Sequence, residues 1–414
     1  MVRIKPFEAI RPPAPQAPRV SSPPYDVIDT SEARALADGN PDSFLHVIRP
    51  EIDLPDDTNP YDDSVYQAAA AGLQQLMTNG ALARDNAPGL FLYRQTWNGR
   101  SQTGLVCCCH VDDYRKDVIR KHEKTRADKE DDRTRHVLSL DAHTGPVFLT
   151  YRDQSQIDTA VADDSTHRPL YHFVTPDGVT HTAWSIRDPH KYVNLFESVP
   201  LAYVADGHHR SASAERAAAE HQSGNNNHDG TEEYNWFLSV LFPASQLSIL
   251  PYNRFVGDLN GHTESELVEA LRRIGELLPT DEPMPDRPGS FGVHLGGQWY
   301  TLCLDEGSID WADPIGSLDV SLLQDRVLGP LLGIQDPRVD SRIKFIGGIR
   351  GIEALECATE QGGIAFAMTP TSIDQLLSVA DAGQCMPPKS TWFEPKLRSG
   401  LFIHALDTRA AVVS

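Results

Sequence analysis

Between Leu201 and His221 the chain reads LAYVADGHHRSASAERAAAEH. Its first five residues are apolar and suit a short buried strand. From Ser211 onward it is Ala-rich, made of strong helix formers. An Asp, a Gly, two His and an Arg stand between the two patterns. A strand that turns into a helix through Gly constrains the fold strongly, because it calls for a sheet flanked by helices. The same alternation recurs along the chain. The runs SEARALADG, DDSVYQAAAAGLQQLMTNGAL, HKYVNLFESV, TESELVEALRRIGELL, SLDVSLLQDRVLGPLLGI, GIEALECATE and SIDQLLSVADAG read as helices. FLHVIRP, GLFLYRQTW, TGLVCCCHV, GPVFLTY, RPLYHFVTP, VTHTAWSI, WFLSVLF, RIKFIGG, GIAFAMTP and GLFIHAL read as strands. Thr263 and Glu266 have capping-box spacing, and Pro176-Asp177-Gly178 forms a hairpin turn. The expected class is α/β or α+β with mixed sheets.

A chain of 414 residues exceeds one ordinary domain. The pattern suggests an α/β segment over 1–111, a core over 112–256 with inserted strands, and a C-terminal α/β domain over 257–414. With 37 basic against 58 acidic residues the formal charge is -21, a field that repels a nucleic-acid backbone. Small anions held by local donors stay allowed. No run reaches the roughly 18 apolar residues of a membrane span. The start, MVRIKPFEAIRPP, lacks the apolar core of a signal peptide. Cys107-Cys108-Cys109 is expected to be strand: alternating side chains cannot readily be bridged, and the spacing suits no zinc motif. A reducing cytoplasm is the expected location. Nothing in the sequence speaks to the oligomeric state.

The junction itself carries chemistry. The first N–H groups of a helix lack intrahelical partners and attract anions. Gly207 lets a ligand approach the backbone, and His208, His209, Arg210 and Ser211 offer side-chain donors. Asp206 beside an anion site suits an acid that holds Mg²⁺ or orients a hydroxyl. An Asp-capped helix bearing surface histidines is the plainer alternative, and the residues alone leave both open. A second cluster, Lys121-His122-Glu123-Lys124-Thr125 with Asp131-Asp132-Arg133, offers a carboxylate base tuned by its neighbours, or simply a solvated charged face. A third, Met386-Pro387-Pro388-Lys389-Ser390-Thr391, is a rigid loop that either faces phosphate through Lys389 or packs as a connection.

The DGHHR stretch at a strand-to-helix junction resembles the nucleotide-binding motif of the ParB/sulfiredoxin superfamily, in the form carried by free-serine kinases. His122-Glu123 resembles the upstream His-Glu pair of those kinases. The chain as a whole resembles the domain-of-unknown-function family number ten-fifteen, through SPPYDVI, NPDSFLHVIRPE, KHEKT, VADGHHR, LPYNR and MPPKSTWFEPKL. The resemblance implies a ParB/sulfiredoxin-like nucleotide-binding core and phosphoryl transfer from ATP or ADP, with Mg²⁺, to free L-serine. It implies Glu123 as base, Asp206 as second catalytic acid, and Gly207, His208, His209 and Arg210 as phosphate cradle. His122 is a further catalytic candidate beside Glu123, Asp206 the candidate metal ligand, and Ser211 and Lys389 further candidate phosphate contacts. Thr125 and Arg133 are the expected substrate contacts. Some eighty residues separate Glu123 from Asp206, so the strands between Gly145 and Ile186 must fold back for the two to meet. A nucleotide-binding switch or scaffold is the alternative. Sulfiredoxin-like chemistry would need a Cys near residue 206, and none is there.

Overall fold

The computed structural model describes residues 1–407. It is α/β with mixed sheets and divides into two units: residues 1–247 with the segment from Pro395 onward, and Ser248–Glu394. The three-segment division expected from the sequence is not the one observed. Strand Arg100–His110 pairs antiparallel with Trp236–Pro243, so one sheet runs across the expected break at 111. The strand Tyr252–Val256, within the expected core segment 112–256, belongs to the second unit's sheet instead.

The first unit is built on a nine-stranded sheet. From one edge its order is Ile119–Arg120, Ala202–Asp206, Val147–Tyr151, Trp236–Pro243, Arg100–His110, Phe91–Trp97, Thr180–Ser185 and Tyr171–Val174, and Ile4–Lys5 adds on to Arg100–His110. Cys107, Cys108 and Cys109 are all buried free thiols in its middle. Helix His208–Gly224 packs with Ala212, Ala214, Ala217 and Ala218 in the core cluster that also contains Val147, Leu149, Ala202 and Val204. Alanines cover little area each, but they seat a helix axis close to a neighbouring layer.

One expected strand is helical. FLHVIRP forms the helix Leu45–Ile48 followed by a tight turn, Pro50–Asp53. Its apolar residues, Phe44, Leu45, Val47 and Ile48, all pack into one cluster with the long helix Asp63–Thr78. In so short an apolar run, periodicity cannot separate helix from strand. Gly72 makes the packing possible, since a Cβ there would lie 2.8 Å from the His46 carbonyl oxygen.

The second unit carries a six-stranded antiparallel sheet in the order Gly275–Pro279, Gln298–Leu304, Ser290–Leu295, Ile364–Ala367, Tyr252–Val256 and Ile343–Gly347. Its helix Glu264–Arg272 begins with the expected Thr263/Glu266 capping box. No described helix is long and apolar enough to cross a membrane.

Candidate functional site

Two adjacent strands bring the distant motifs together. Ile119–Arg120 pairs parallel with Ala202–Asp206, Ile119 opposite Ala202 and Arg120 opposite Tyr203. Parallel neighbours leave the sheet at the same end, so His122-Glu123 and Asp206-Gly207 emerge side by side. The inserted segment returns as expected: Val147–Tyr151 lies on the other side of Ala202–Asp206, antiparallel to it. The register slips between Val204 and Asp206, leaving Ala205 as an extra residue. Such a bulge re-aims the following side chain.

Gly207 follows with φ 91° and ψ 32°, a left-handed conformation that disfavours any residue with a Cβ. Glycine has no capping side chain, so the leading N–H groups of helix His208–Gly224 have none from it. Asp206 closes the turn. Its Oδ1 accepts from the Gly207 N–H at 2.8 Å, and its Oδ2 accepts from Lys396 Nζ at 2.8 Å. Burial alone would raise its pKa. The charges of Lys396 and Arg210, with those two hydrogen bonds, outweigh burial and hold the carboxyl well below the usual carboxylate range. Asp206 is therefore an anion at any physiological pH.

His122 and His208 meet edge to face, with ring centroids 4.5 Å apart. They are 1 % and 6 % exposed. Both ring nitrogens of His122 and Nε2 of His208 lack hydrogen-bond partners. The Val204 backbone lies near His122 and favours its protonation, short of hydrogen-bond geometry. Burial lowers both pKa values, that of His208 to about 4 and that of His122 well below the ordinary value. Both rings are neutral near pH 7. Glu123, with a side chain 37 % exposed, places Oε2 4.0 Å from His208 Nδ1. His122, Glu123 and His208 each offer a ligand atom within 4.8 Å of the others. His209 Nε2 accepts from the Arg126 N–H at 3.2 Å, which ties the Glu123 loop to the helix.

The remaining expected residues have particular places. Arg210 donates to the Pro146 carbonyl at 3.0 Å and to Asp26 Oδ1 at 3.2 Å, and lies over the Tyr25 ring. Arg133 pairs with Asp132 at 2.8 Å and stacks on the Tyr25 ring, 4.2 Å from its centroid. Both arginines line a cavity of about 40 Å³ with Tyr25, His143 and Ser399. That is room for about three waters or a small polar group. Thr125 bonds to Glu130. Ser211 is a correction: its hydroxyl is fully buried and donates to the His208 carbonyl at 3.0 Å, because its place on the helix turns it inward. Lys389 lies in the second unit, 5.4 Å from the Tyr252 ring centroid. The lysine that reaches Asp206 is Lys396, from the same motif.

Sequence reasoning missed Lys396, Tyr25 and Asp26 as individual residues. The signal for all three was present, since each lies in a stretch that carries the resemblance. Nothing in the sequence marked the His122–His208 contact, which depends on strand register.

Residues 4–321 match the model of the family described as Protein of unknown function (DUF1015). The chain belongs to that family. No curated protein matches it. Among solved structures, a free serine kinase variant in complex with ADP is 14% identical, at 72% coverage of this chain and 92% of that one, with TM-score 0.37. SbnI with a C-terminal truncation from Staphylococcus aureus is 13% identical, covering 73% and 89%, with TM-score 0.39. A conserved hypothetical protein from Pyrococcus furiosus is 10% identical, covering 74% and 97%, with TM-score 0.35.

Proposed function

We propose that this DUF1015 protein is a small-molecule kinase that transfers a phosphoryl group from ATP or ADP to the hydroxyl of free L-serine. The observation that carries the reading is the meeting of Glu123 with the Asp206-Gly207-His208 turn at one end of the sheet. Phosphoryl transfer asks mainly for positioning and charge neutralisation. The open helix start at Gly207, with Lys396 and Arg210 near Asp206, supplies donors and positive charge for the phosphates. Glu123, with its side chain 37 % exposed, takes the proton from the serine hydroxyl. The serine oxygen forms the new bond to the terminal phosphorus as the bond to the bridging oxygen breaks. Products are O-phospho-L-serine and the nucleotide shortened by one phosphate.

Arg133, in the wall of the small cavity, is the residue for the serine carboxylate, and Thr125, bonded to Glu130, is the second substrate contact in this reading. Mg²⁺ would be held by Asp206 together with the phosphates, where it supplies charge neutralisation. Lys396, which now occupies Oδ2, would then turn to a phosphate oxygen. Gly207, His208 and His209 remain the cradle in this reading. The test is incubation of purified protein with Mg²⁺, ATP or ADP, and free L-serine, followed by detection of phosphoserine. Nucleotide bound with nothing phosphorylated would replace the kinase by a nucleotide-dependent switch.

A further inference from the structure

We propose that His122, Glu123 and His208 form a binding site for a divalent first-row transition ion, separate from any Mg²⁺ carried by a nucleotide. Two imidazoles and a carboxylate place one ligand atom each within 4.8 Å of the others. Both imidazoles are more than nine-tenths buried, and three of their ring nitrogens are unpartnered. A packed histidine pair would ordinarily spend those nitrogens on backbone or side-chain groups. Here they border the Glu123 carboxylate instead.

The donor set selects the ion. Mg²⁺ prefers oxygen ligands, whereas imidazole with carboxylate suits zinc, cobalt, iron and manganese. Metal–nitrogen and metal–oxygen bonds of about 2.0–2.2 Å require the ligand atoms to draw in toward roughly 3.5 Å separation. Glu123 Oε2 starts 4.0 Å from His208 Nδ1, so a small rotation of this half-exposed side chain covers the difference. An ion bound here takes the carboxylate lone pair that a general base needs. It would therefore inhibit phosphoryl transfer, a consequence that rests on the proposed function, whereas binding does not.

The test uses the full-length protein stripped of metal by a chelator, without nucleotide or serine. Titration with Co²⁺ is expected to give visible d–d bands that saturate at about one equivalent and are displaced by Zn²⁺ but not by excess Mg²⁺. Zinc affinity, measured by competition with a chromogenic chelator, is expected to fall by about 100-fold or more in Glu123→Gln and His208→Gln. That exceeds the roughly 10–100-fold lost when only an outer partner of a ligand is removed. Cys357→Ser, which removes an exposed thiol, should leave it unchanged. Circular dichroism establishes that each variant is folded, and Glu123→Gln alone suffices if His208→Gln is not. Absent Co²⁺ bands, or equal zinc affinity in wild type and Glu123→Gln, would overturn the site. Zinc binding without phosphoserine formation would overturn only the kinase.

Discussion

Arg254 and the His122–His208 pair are both buried polar groups inside stretches that carry the family likeness, yet they use their polar atoms in opposite ways. The Arg254 guanidinium donates to the Lys389 carbonyl at 2.9 Å and to the Tyr252 carbonyl, and stacks on Phe345. Around it Ser390 donates to the Pro387 carbonyl at 2.7 Å, and Thr371 to the Ser390 carbonyl at 2.9 Å. The LPYNR and MPPKST stretches are thus bound to each other, and their donors are consumed in holding the loop. Beside Glu123, by contrast, three imidazole nitrogens are unmatched in the interior. Buried polar atoms without partners are costly, and the proposed ion would supply a partner for those beside Glu123. The hydrogen bonds give the second unit's motif a structural role, and the unmatched nitrogens are what the proposed chemical role of the first unit's motif rests on.

The largest expected effect tests the chemical side. Glu123→Gln should lower phosphoserine turnover by about 10²–10⁴, or roughly 3–5 kcal/mol of barrier, with melting temperature and nucleotide affinity unchanged. Near-normal turnover would place Glu123 outside the reaction.

Next comes the structural side. Arg254→Met removes the donor from at least two carbonyls in the interior, and at about 1–3 kcal/mol each it should destabilise by ~3 kcal/mol or more. Urea unfolding measures this directly. A variant of wild-type stability would mean that the loop does not depend on the guanidinium, and the contrast would collapse.

Asp319 sharpens the same comparison within the second unit. Burial raises its pKa to about 6, against the opposing hydrogen bond from the Gly289 N–H at 2.7 Å. A carboxyl whose folded pKa lies above its unfolded value of 3.8 binds more protons when folded between those two values. Its contribution to stability therefore improves as pH falls from about 6 to about 4 and is least favourable above 6. Asp319→Asn keeps an acceptor for Gly289 and removes the charge. It should stabilise at pH 7 by about 2–3 kcal/mol and lose that advantage near pH 4, by denaturation at both pH values. An advantage independent of pH would rule out the buried charge as its cause.

The smallest effect concerns Arg210. Its bonds to Asp26 and the Pro146 carbonyl make it a support for the Tyr25 loop as well as a candidate phosphate donor. Arg210→Ala should weaken nucleotide binding by about 1.5–3 kcal/mol and serine binding less, by calorimetric titration of each ligand. Unchanged nucleotide affinity would leave only the supporting role.

Much of the architecture was legible because local rules fix it. The strand–Gly207–helix turn, the Thr263/Glu266 cap and the hairpin at Pro176-Asp177-Gly178 each depend on a few consecutive residues. Leu45–Ile48 was misread because four apolar residues fit either period, and only packing against Asp63–Thr78 decides between them. The domain division was misread because a sheet ignores sequence distance: Arg100–His110 finds its partner at Trp236–Pro243. The same reason hid half of the site. His122 meets His208 through the pairing of two short strands, and Lys396 reaches Asp206 after the whole second unit has intervened. The bulge at Ala205, which aims Asp206, leaves no mark on composition at all.

The Lys396–Asp206 ion pair sets an order of events during synthesis. The lysine is encoded 190 residues after the aspartate. At ribosomal rates of about 5–20 residues per second, the nascent chain carries Asp206 for roughly 10–40 s before Lys396 is added. Through that interval the sheet has its strands and the helix has its start, but the carboxylate faces no lysine. A chain cut short anywhere in the second unit would keep DGHHR and His122-Glu123 intact and still lack Lys396, the residue that bonds Asp206 Oδ2. Completion of the site is in this way a report that translation has passed the second unit.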